Sequence, residues 1–247
     1  MISVCVATYN GENYIKEQID SILCQLSKED EIIISDDGST DSTLEILKSY
    51  KDSRIKILRH KHNTSYTHSA DYTTHNFENA LLHAKGEYIF LSDQDDVWLP
   101  NKVEVMKTKL LDYGLVVSDC MVVDSQLSVI HPSYFAIHRT KKGVINNLYI
   151  NAFHGACMAF RKEVLNQAIP FPNSDVGHDF WLGLIATHYY SVEFINQPLI
   201  LYRRHDNTVS PSAKGSTLPI SYRIQYRLIT IFELCRRILL KNYSIID

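Results

Sequence analysis

"ISVCVATYNGEN" (residues 2–13) decides how the rest of the chain is read. Its first seven residues are apolar, small or β-branched with no alternation, and they stop abruptly at the polar "YNGEN". A strand covered on both faces reads this way, which is the condition of a parallel sheet between helices. The same reading applies to "EIIIS" (31–35), "IKIL" (55–58) and "EYIFLS" (87–92), while "GLVVSDCMVVD" (114–124) is a further strand or hairpin. Between these runs, "YIKEQIDSIL" (14–23) puts Ile15, Ile19, Ile22 and Leu23 on one helical face. Residues 36–50 are a turn into a helix capped at Asp41 or Ser42. "FENALLHAKG" (77–86) is a helix closed by Gly86, and a further helix runs from Asn101 to Leu111 with Pro100 suited to its first turn. Strands alternating with helices through short loops predict an α/β fold, a mostly parallel sheet flanked by helices.

After about residue 125 the pattern loosens. "HGACMAFRKEVL" (154–165) is a short strand into a helix, "DFWLGLIATHYY" (179–190) a helix, and "PLILYRRH" (198–205) a late strand. Residues 219–241 form an amphipathic tail in which Ile220, Ile224, Leu228, Ile231, Leu234 and Ile238 alternate with arginines. The expected division is 1–124, 125–218 and a helical tail, 219–247. The tail is expected to pack on the domain, on a second subunit or on anionic lipid.

Composition narrows the function classes. The 247 residues are 45% hydrophobic with a net charge of -3, which supports a full core and gives no reason to expect nucleic acid. Five cysteines, scattered and without a C-x-x-C pair, predict neither a disulfide framework nor a zinc site, and suit a reducing cytoplasm. The start of the chain lacks a basic segment followed by a long apolar one, so a secretory signal is not expected. No apolar stretch approaches the ~20 residues that span a bilayer. The expected location is cytoplasmic, at most peripheral on the inner face of the plasma membrane.

Open α/β sheets bind ligands at the carboxyl ends of their strands. Three such ends are polar: "TYNGE" (8–12), "SDDGSTD" (35–41) and "SDQDD" (92–96). In extended chain Asp93 and Asp95 point to one side, and two carboxylates facing one space share either a proton or a cation. Hard oxygen donors favour Mg²⁺ or Mn²⁺. The alternative is that Asp95 or Asp96 caps the helix near Pro100. "SDDGSTD" is equally an Asx turn with a helix cap or a place where Asp37 bonds a base or ribose edge. No P-loop and no G-x-G-x-x-G occurs.

"VATYNGENYI", "SDDGSTDST", "KGEYIFLSDQDDVWLPNK" and "GHDFW" together resemble, in order and spacing, the family 2 glycosyltransferases of the GT-A fold, over residues 1–210. With "YRRH", the set is most similar to bacterial polysaccharide rhamnosyltransferases. The resemblance implies that Thr8, Tyr9 and Glu12 line a nucleotide pocket and that Asp37 contacts the base. Asp93-Gln94-Asp95 would be the D-x-D motif, Asp93 leaning to the ribose and Asp95 binding the metal that bridges the diphosphate, while Asp96 serves the turn into the next helix. Asp179 would be the general base, with an N-cap for helix 180–190 as its other role. His205 would complete metal or diphosphate binding, with Arg203 or Arg204 beside it. His154 and Gly155 would sit at the donor–acceptor junction, and His178 and Trp181 flank the base, Trp181 suited to stacking on a sugar ring. The implied activity is inverting, metal-dependent transfer from a nucleotide-diphosphate sugar, dTDP-rhamnose first, to a lipid-linked saccharide acceptor in surface polysaccharide synthesis. A nucleotidyltransferase would want basic residues in "ATYNGEN", and a non-catalytic sugar-nucleotide binder would lack Asp95, Asp179 or His205. One departure is "HKHNTSYTHSADYTTHNF", longer than in relatives and without glycine, expected to be a lid or an acceptor insert. The remaining histidines, 60, 62, 68, 75, 83 and 188, are expected at the surface.

Overall fold

The computed structural model describes residues 1–60, 69–138, 151–174, 176–205 and 219–243. The first half of the chain supplies β1 (Ile2–Thr8), β2 (Glu31–Asp36), β3 (Ile55–Arg59) and β4 (Tyr88–Ser92), all parallel and side by side as β3-β2-β1-β4. Every residue of β2 and β4 is buried, as their unbroken apolar runs require. The chain lays down β2 and β3 on one side of β1 and then crosses to place β4 on the other. The order therefore reverses between β1 and β4, and a crevice opens at their carboxyl ends.

The second half extends the same sheet with mixed polarity. β5 (Val97–Trp98), β6 (Leu115–Val123), β7 (Val129–His131), β8 (Met158–Arg161) and β9 (Val192–Arg203) complete the order β3-β2-β1-β4-β8-β6-β9-β5, with β7 paired to β6. β8 is antiparallel to both β4 and β6, whereas β6 and β9 run parallel. The parallel arrangement expected from the first half is present, and β8 is the antiparallel joint that carries the sheet onward.

Helices α1 (Ile15–Leu23), α2 (Thr43–Ser49), α3 (Ser69–Leu82), α4 (Lys102–Lys109), α5 (Tyr134–His138), α6 (Lys162–Ala168), α7 (His178–Tyr189) and α8 (Ile220–Tyr243) surround it. α1 buries Ile15, Ile19 and Ile22 as its spacing predicts, plus Gln18, whose amide donates to Ser92 Oγ. α3 begins at Ser69, well before the expected Phe77, so half of the supposed loop is helix. The remainder, 61–68, lies outside the described residues, as do His62 and His68. Gly86 does not close α3. A Cβ there would come within 2.5 Å of the Ser3 nitrogen, so the glycine is needed for close approach to β1. Phe77, Phe90, Phe160, Phe180 and Trp181 are fully buried, each contributing about 1.5–3 kcal/mol through removal from water.

The tail helix α8 packs on the domain, but of the expected stripe only Leu234 and Ile238 face inward. Tyr226, Ile229, Thr230, Leu234 and Ile238 face the protein, while Arg237 donates to the carbonyls of Gln167 (2.8 Å), Ile169 (3.2 Å) and Pro170. Ile220, Ile224 and Leu228 point outward with Phe232. Among the described residues no helix is long and apolar enough to cross a membrane.

Candidate functional site

The crevice between β1 and β4 is closed underneath by one side chain. Gln94 accepts from Thr8 Oγ1 at 2.6 Å and from the Tyr9 amide at 2.9 Å, and its own amide donates to the Tyr9 carbonyl at 3.0 Å. The middle residue of "DQD" thus fastens the two strand ends together, leaving Asp93 and Asp95 on either side of it. Tyr9 is exposed at the mouth and Thr8 is buried below it.

Asp95 Oδ2 lies 2.8 Å from His205 Nε2, so the end of β9 returns to the acidic loop across 110 residues. Arg203 is the reason. Its guanidinium, 3% exposed, donates to the Asp95 carbonyl at 2.7 Å and the Ser125 carbonyl at 2.8 Å, pairs with Glu17, and lies over the Tyr14 ring at 4.6 Å. The Arg203 backbone amide donates to Asp96 Oδ1 at 3.0 Å. Arg203 is therefore consumed as a clamp on the acidic loop and presents no free guanidinium for a diphosphate. Asp96 belongs to the same clamp, not to the turn into α4, whose N-cap is Asn101 in left-handed conformation. Arg204 donates to the Tyr202 hydroxyl at 3.1 Å.

The electrostatics of the loop fit a cation. Burial, then the Asp95 charge, push the half-buried Asp93 up to about 7; the Asp179 carboxylate adds to the effect and His154 opposes it. Asp96 is raised well above the usual carboxylate range by burial and by Asp95 and Asp93, and its Oδ2 has no hydrogen-bond partner. A divalent ion held by Asp95 and His205, with Asp93 beside it, would favour the ionised acids. Beneath them Lys102 is wholly buried, donates to the Ala156 carbonyl at 2.8 Å and sits 4.4 Å from the Trp98 ring centre. Burial lowers it to about 8, against the pull of the nearby thiols and acids.

Asp179 stands in the first turn of α7, where a carboxylate is favoured by the free amides, and accepts from the Phe180 amide at 2.6 Å. The N-cap position itself is Gly177, so the capping role expected of Asp179 falls two residues earlier. Its neighbour His178 is stacked on Phe77 at 4.2 Å, its amide donates to Thr74 Oγ1 at 3.1 Å, and its Nε2 is buried without a partner. Burial holds the imidazole below its ordinary pKa, with Asp179 pulling the other way. Gly155 faces it: a Cβ there would lie 2.8 Å from His178 Nε2. His154 is stacked on Tyr134, with centroids 5.1 Å apart. Trp181 does not reach the cleft. It is 0% exposed, and its indole donates to the Ala168 carbonyl at 2.9 Å, so neither it nor the buried Phe180 can stack on a sugar.

The "SDDGSTD" loop takes its turn reading. Asp36 Oδ2 accepts from the amides of Gly38 (3.1 Å) and Ser39 (3.0 Å), an Asx turn that needs the left-handed φ of Gly38. Asp41 accepts from the Thr43 amide and hydroxyl and from the Glu12 amide, while Glu12 accepts from the Ser42 amide at 2.9 Å. Glu12 and Asp41 thereby lace the β1 and β2 loops together. Asp37 is 2.8 Å from His60 Nδ1, so His60 belongs at the crevice and not on the open surface. Lys102 and His60 are site-shaping residues that sequence reasoning missed, as it missed the clamping task of Arg203. Only His60 left a signal, since the parallel register of β2 with β3 carries the residue after Arg59 to Asp37.

The sequence model for glycosyl transferase family 2 matches residues 3–168. An uncharacterized glycosyltransferase of Haemophilus influenzae is 29% identical, covering 85% of this chain and 67% of its own. The dTDP-rhamnosyl transferase RfbG of Shigella flexneri is 28% identical (82% and 72% covered), and the Escherichia coli UDP-Glc:alpha-D-GlcNAc-diphosphoundecaprenol beta-1,3-glucosyltransferase WfaP is 25% identical (94% and 91%). Among solved structures, the S. aureus TarS fragment in complex with UDP-GlcNAc superposes with a TM-score of 0.68 at 18% identity, covering 93% of this chain and 66% of that one. Glucosyl-3-phosphoglycerate synthase of Mycobacterium tuberculosis, in complex with Mn²⁺, UDP and phosphoglyceric acid, gives 0.56 at 18% identity (96% and 78%).

Proposed function

The chain belongs to glycosyl transferase family 2 and carries its GT-A fold, and from that premise we propose that it transfers a sugar from a nucleoside diphosphate donor, with inversion, to a lipid-linked saccharide in bacterial polysaccharide synthesis. The observation that carries this reading is the contact of Asp95 with His205 beside Asp93, at the strand-order reversal, with the Asp179 charge acting on the same Asp93. Tyr9, Thr8, Glu12 and Asp37 edge the nucleotide half of the crevice; Gln94 contributes by holding its floor. Asp95 and His205 would hold Mg²⁺ or Mn²⁺, which supplies positive charge to the departing diphosphate. A solved structural neighbour is in complex with Mn²⁺. Asp179 takes the proton of the acceptor hydroxyl as it attacks the anomeric carbon from the face opposite the diphosphate, which gives inversion. The orphaned Nε2 of His178 and the Gly155 backbone face the acceptor side. Similarity to RfbG supports dTDP-rhamnose as donor.

The test is Asp179→Asn, with donor binding and turnover measured separately. Transfer should fall at least ~10²-fold, the lower range for a positioned base, with nucleotide affinity kept. Normal turnover would remove Asp179 from the reaction, and a thermal-shift screen of UDP, dTDP and GDP with Mn²⁺ that moved none of them would sink the donor assignment. The outward stripe of Ile220, Ile224, Leu228 and Phe232, flanked by exposed Arg223 and Arg236, supports peripheral contact with an anionic membrane surface, where lipid-linked acceptors reside. Flotation with anionic vesicles that Leu228→Glu abolishes would support it, whereas loss of a dimer in that variant would assign the stripe to a second subunit.

A further inference from the structure

Two of the five cysteines, whose scatter along the sequence predicts no zinc site, come together in the fold. Cys120 on β6 and Cys157 in the turn Gly155–Cys157 converge with His154, and one donor atom from each lies within 4.8 Å of the others. His154 Nδ1 is already 3.2 Å from Cys157 Sγ. Three features separate this cluster from cysteines packed as small apolar groups. The imidazole is fixed by stacking on Tyr134 and by the edge contact with Tyr202 at 4.5 Å, so Nδ1 is aimed and not free to turn away. The buried Lys102 ammonium, itself hydrogen-bonded to the Ala156 carbonyl in the same turn, acts electrostatically on both thiols: against its burial, Cys157 is held well below the usual thiol range by Cys120, His154 and Lys102, while the bond to Cys157 and burial push Cys120 well above it. The Asp93 carboxyl lies near enough to the cluster to sense both His154 and Cys157.

From this convergence we propose that Cys120, Cys157 and His154 bind one zinc ion, distinct from the hard cation of the Asp95–His205 pair. Tetrahedral zinc takes thiolates at ~2.3 Å and imidazole at ~2.0 Å, which sets its donor atoms ~3.5–3.8 Å apart, so donors now within 4.8 Å of one another need to close by ~1.3 Å at most. Two thiolates balance the charge of Zn²⁺, and three protein donors leave a fourth position for water. The softness of the donors keeps Mg²⁺ and Mn²⁺ out, while the carboxylates above suit those ions. Zinc here would tie β6 to the turn that carries Gly155, and so fix the floor of the site.

The full-length chain, stripped with a chelator and titrated with Co²⁺, should show a near-ultraviolet thiolate-to-cobalt band and the visible bands of a tetrahedral ion, saturating at one equivalent. Zn²⁺ should displace both. Cys157→Ser and Cys120→Ser should each abolish the thiolate band and weaken Zn²⁺ binding by more than ~100-fold, whereas Asp95→Ala should keep the band. No thiolate band in the wild type, or a band that survives both serine variants, overturns the proposal. If a serine variant fails to fold, the wild-type titration and His154→Asn still decide it.

Discussion

The loops 35–41 and 92–96 are nearly interchangeable as strings of acids, yet the fold treats them oppositely. In the first, amides converge on the carboxylates. Asp36 takes two of them, and at Asp41 burial is outweighed by the bonds from Thr43 and Glu12, which hold it below the usual carboxylate range. In the second, Asp96 takes one amide, that of Arg203, and burial with the repulsion of neighbouring acids still raises both Asp93 and Asp96. The difference teaches where a cation belongs. An acid satisfied by backbone donors builds a turn, whereas an acid held against its own charge is a vacancy for positive charge.

The sharpest way to break this comparison is Asp95→Ala. Mn²⁺-dependent donor binding should vanish by calorimetry and turnover should drop about 10²–10³-fold; retained Mn²⁺ dependence would move the cation to another place. Next comes Arg203→Met, which removes the clamp and leaves Glu17 and two carbonyls unmatched. Glu17 is half exposed and can be hydrated, so denaturant unfolding should show a loss of about 1–3 kcal/mol from the unmatched carbonyls, and an unchanged midpoint would mean the acidic loop holds itself. A third test uses pH in the metal-free protein. Asp93 ionises near 3.8 when unfolded but at about 7 when folded, so stability should decline as pH rises from about 4 to about 7 and level off above. Asp93→Asn should flatten that slope. Asp41, with its folded pKa lowered, contributes stability above its unfolded value that is lost as pH falls below it, so its variants should alter only the acid limb. The smallest effect is Asp41→Ala at neutral pH, about 1 kcal/mol from lost capping bonds, with Mn²⁺ affinity unmoved.

What the sequence could reveal followed from local pattern. The strand ends were legible because apolar runs stop at polar residues, and Ile15, Ile19 and Ile22 because helical spacing is regular. Trp181 misled because adjacency in sequence is not adjacency on a helix. Two residues turn the side chain through about 200°, which puts Trp181 in the core while Asp179 stays half-buried at the helix start. Arg203 was visible in "YRRH" but its task was not, since Glu17, Asp95 and Ser125 are remote in the chain. Cys120 and Cys157 escaped for the same reason: no short spacing announces a pair assembled by β6 and the turn before β8. The tail carries two stripes, and periodicity alone cannot say which one the domain takes.

The bond from the Gly177 amide to the Tyr226 hydroxyl, 3.1 Å long, has a mechanical meaning. Gly177 is the entry residue of the helix that presents Asp179, and Tyr226 rides on α8, stacked against Phe180. A load applied to the outer face of α8 therefore reaches the entry of the Asp179 helix through this phenol, together with Arg227 over the Phe180 ring. Whatever surface seats the tail also sets the footing of the carboxylate, so location and competence share one linkage, and Tyr226→Phe is the pin to pull.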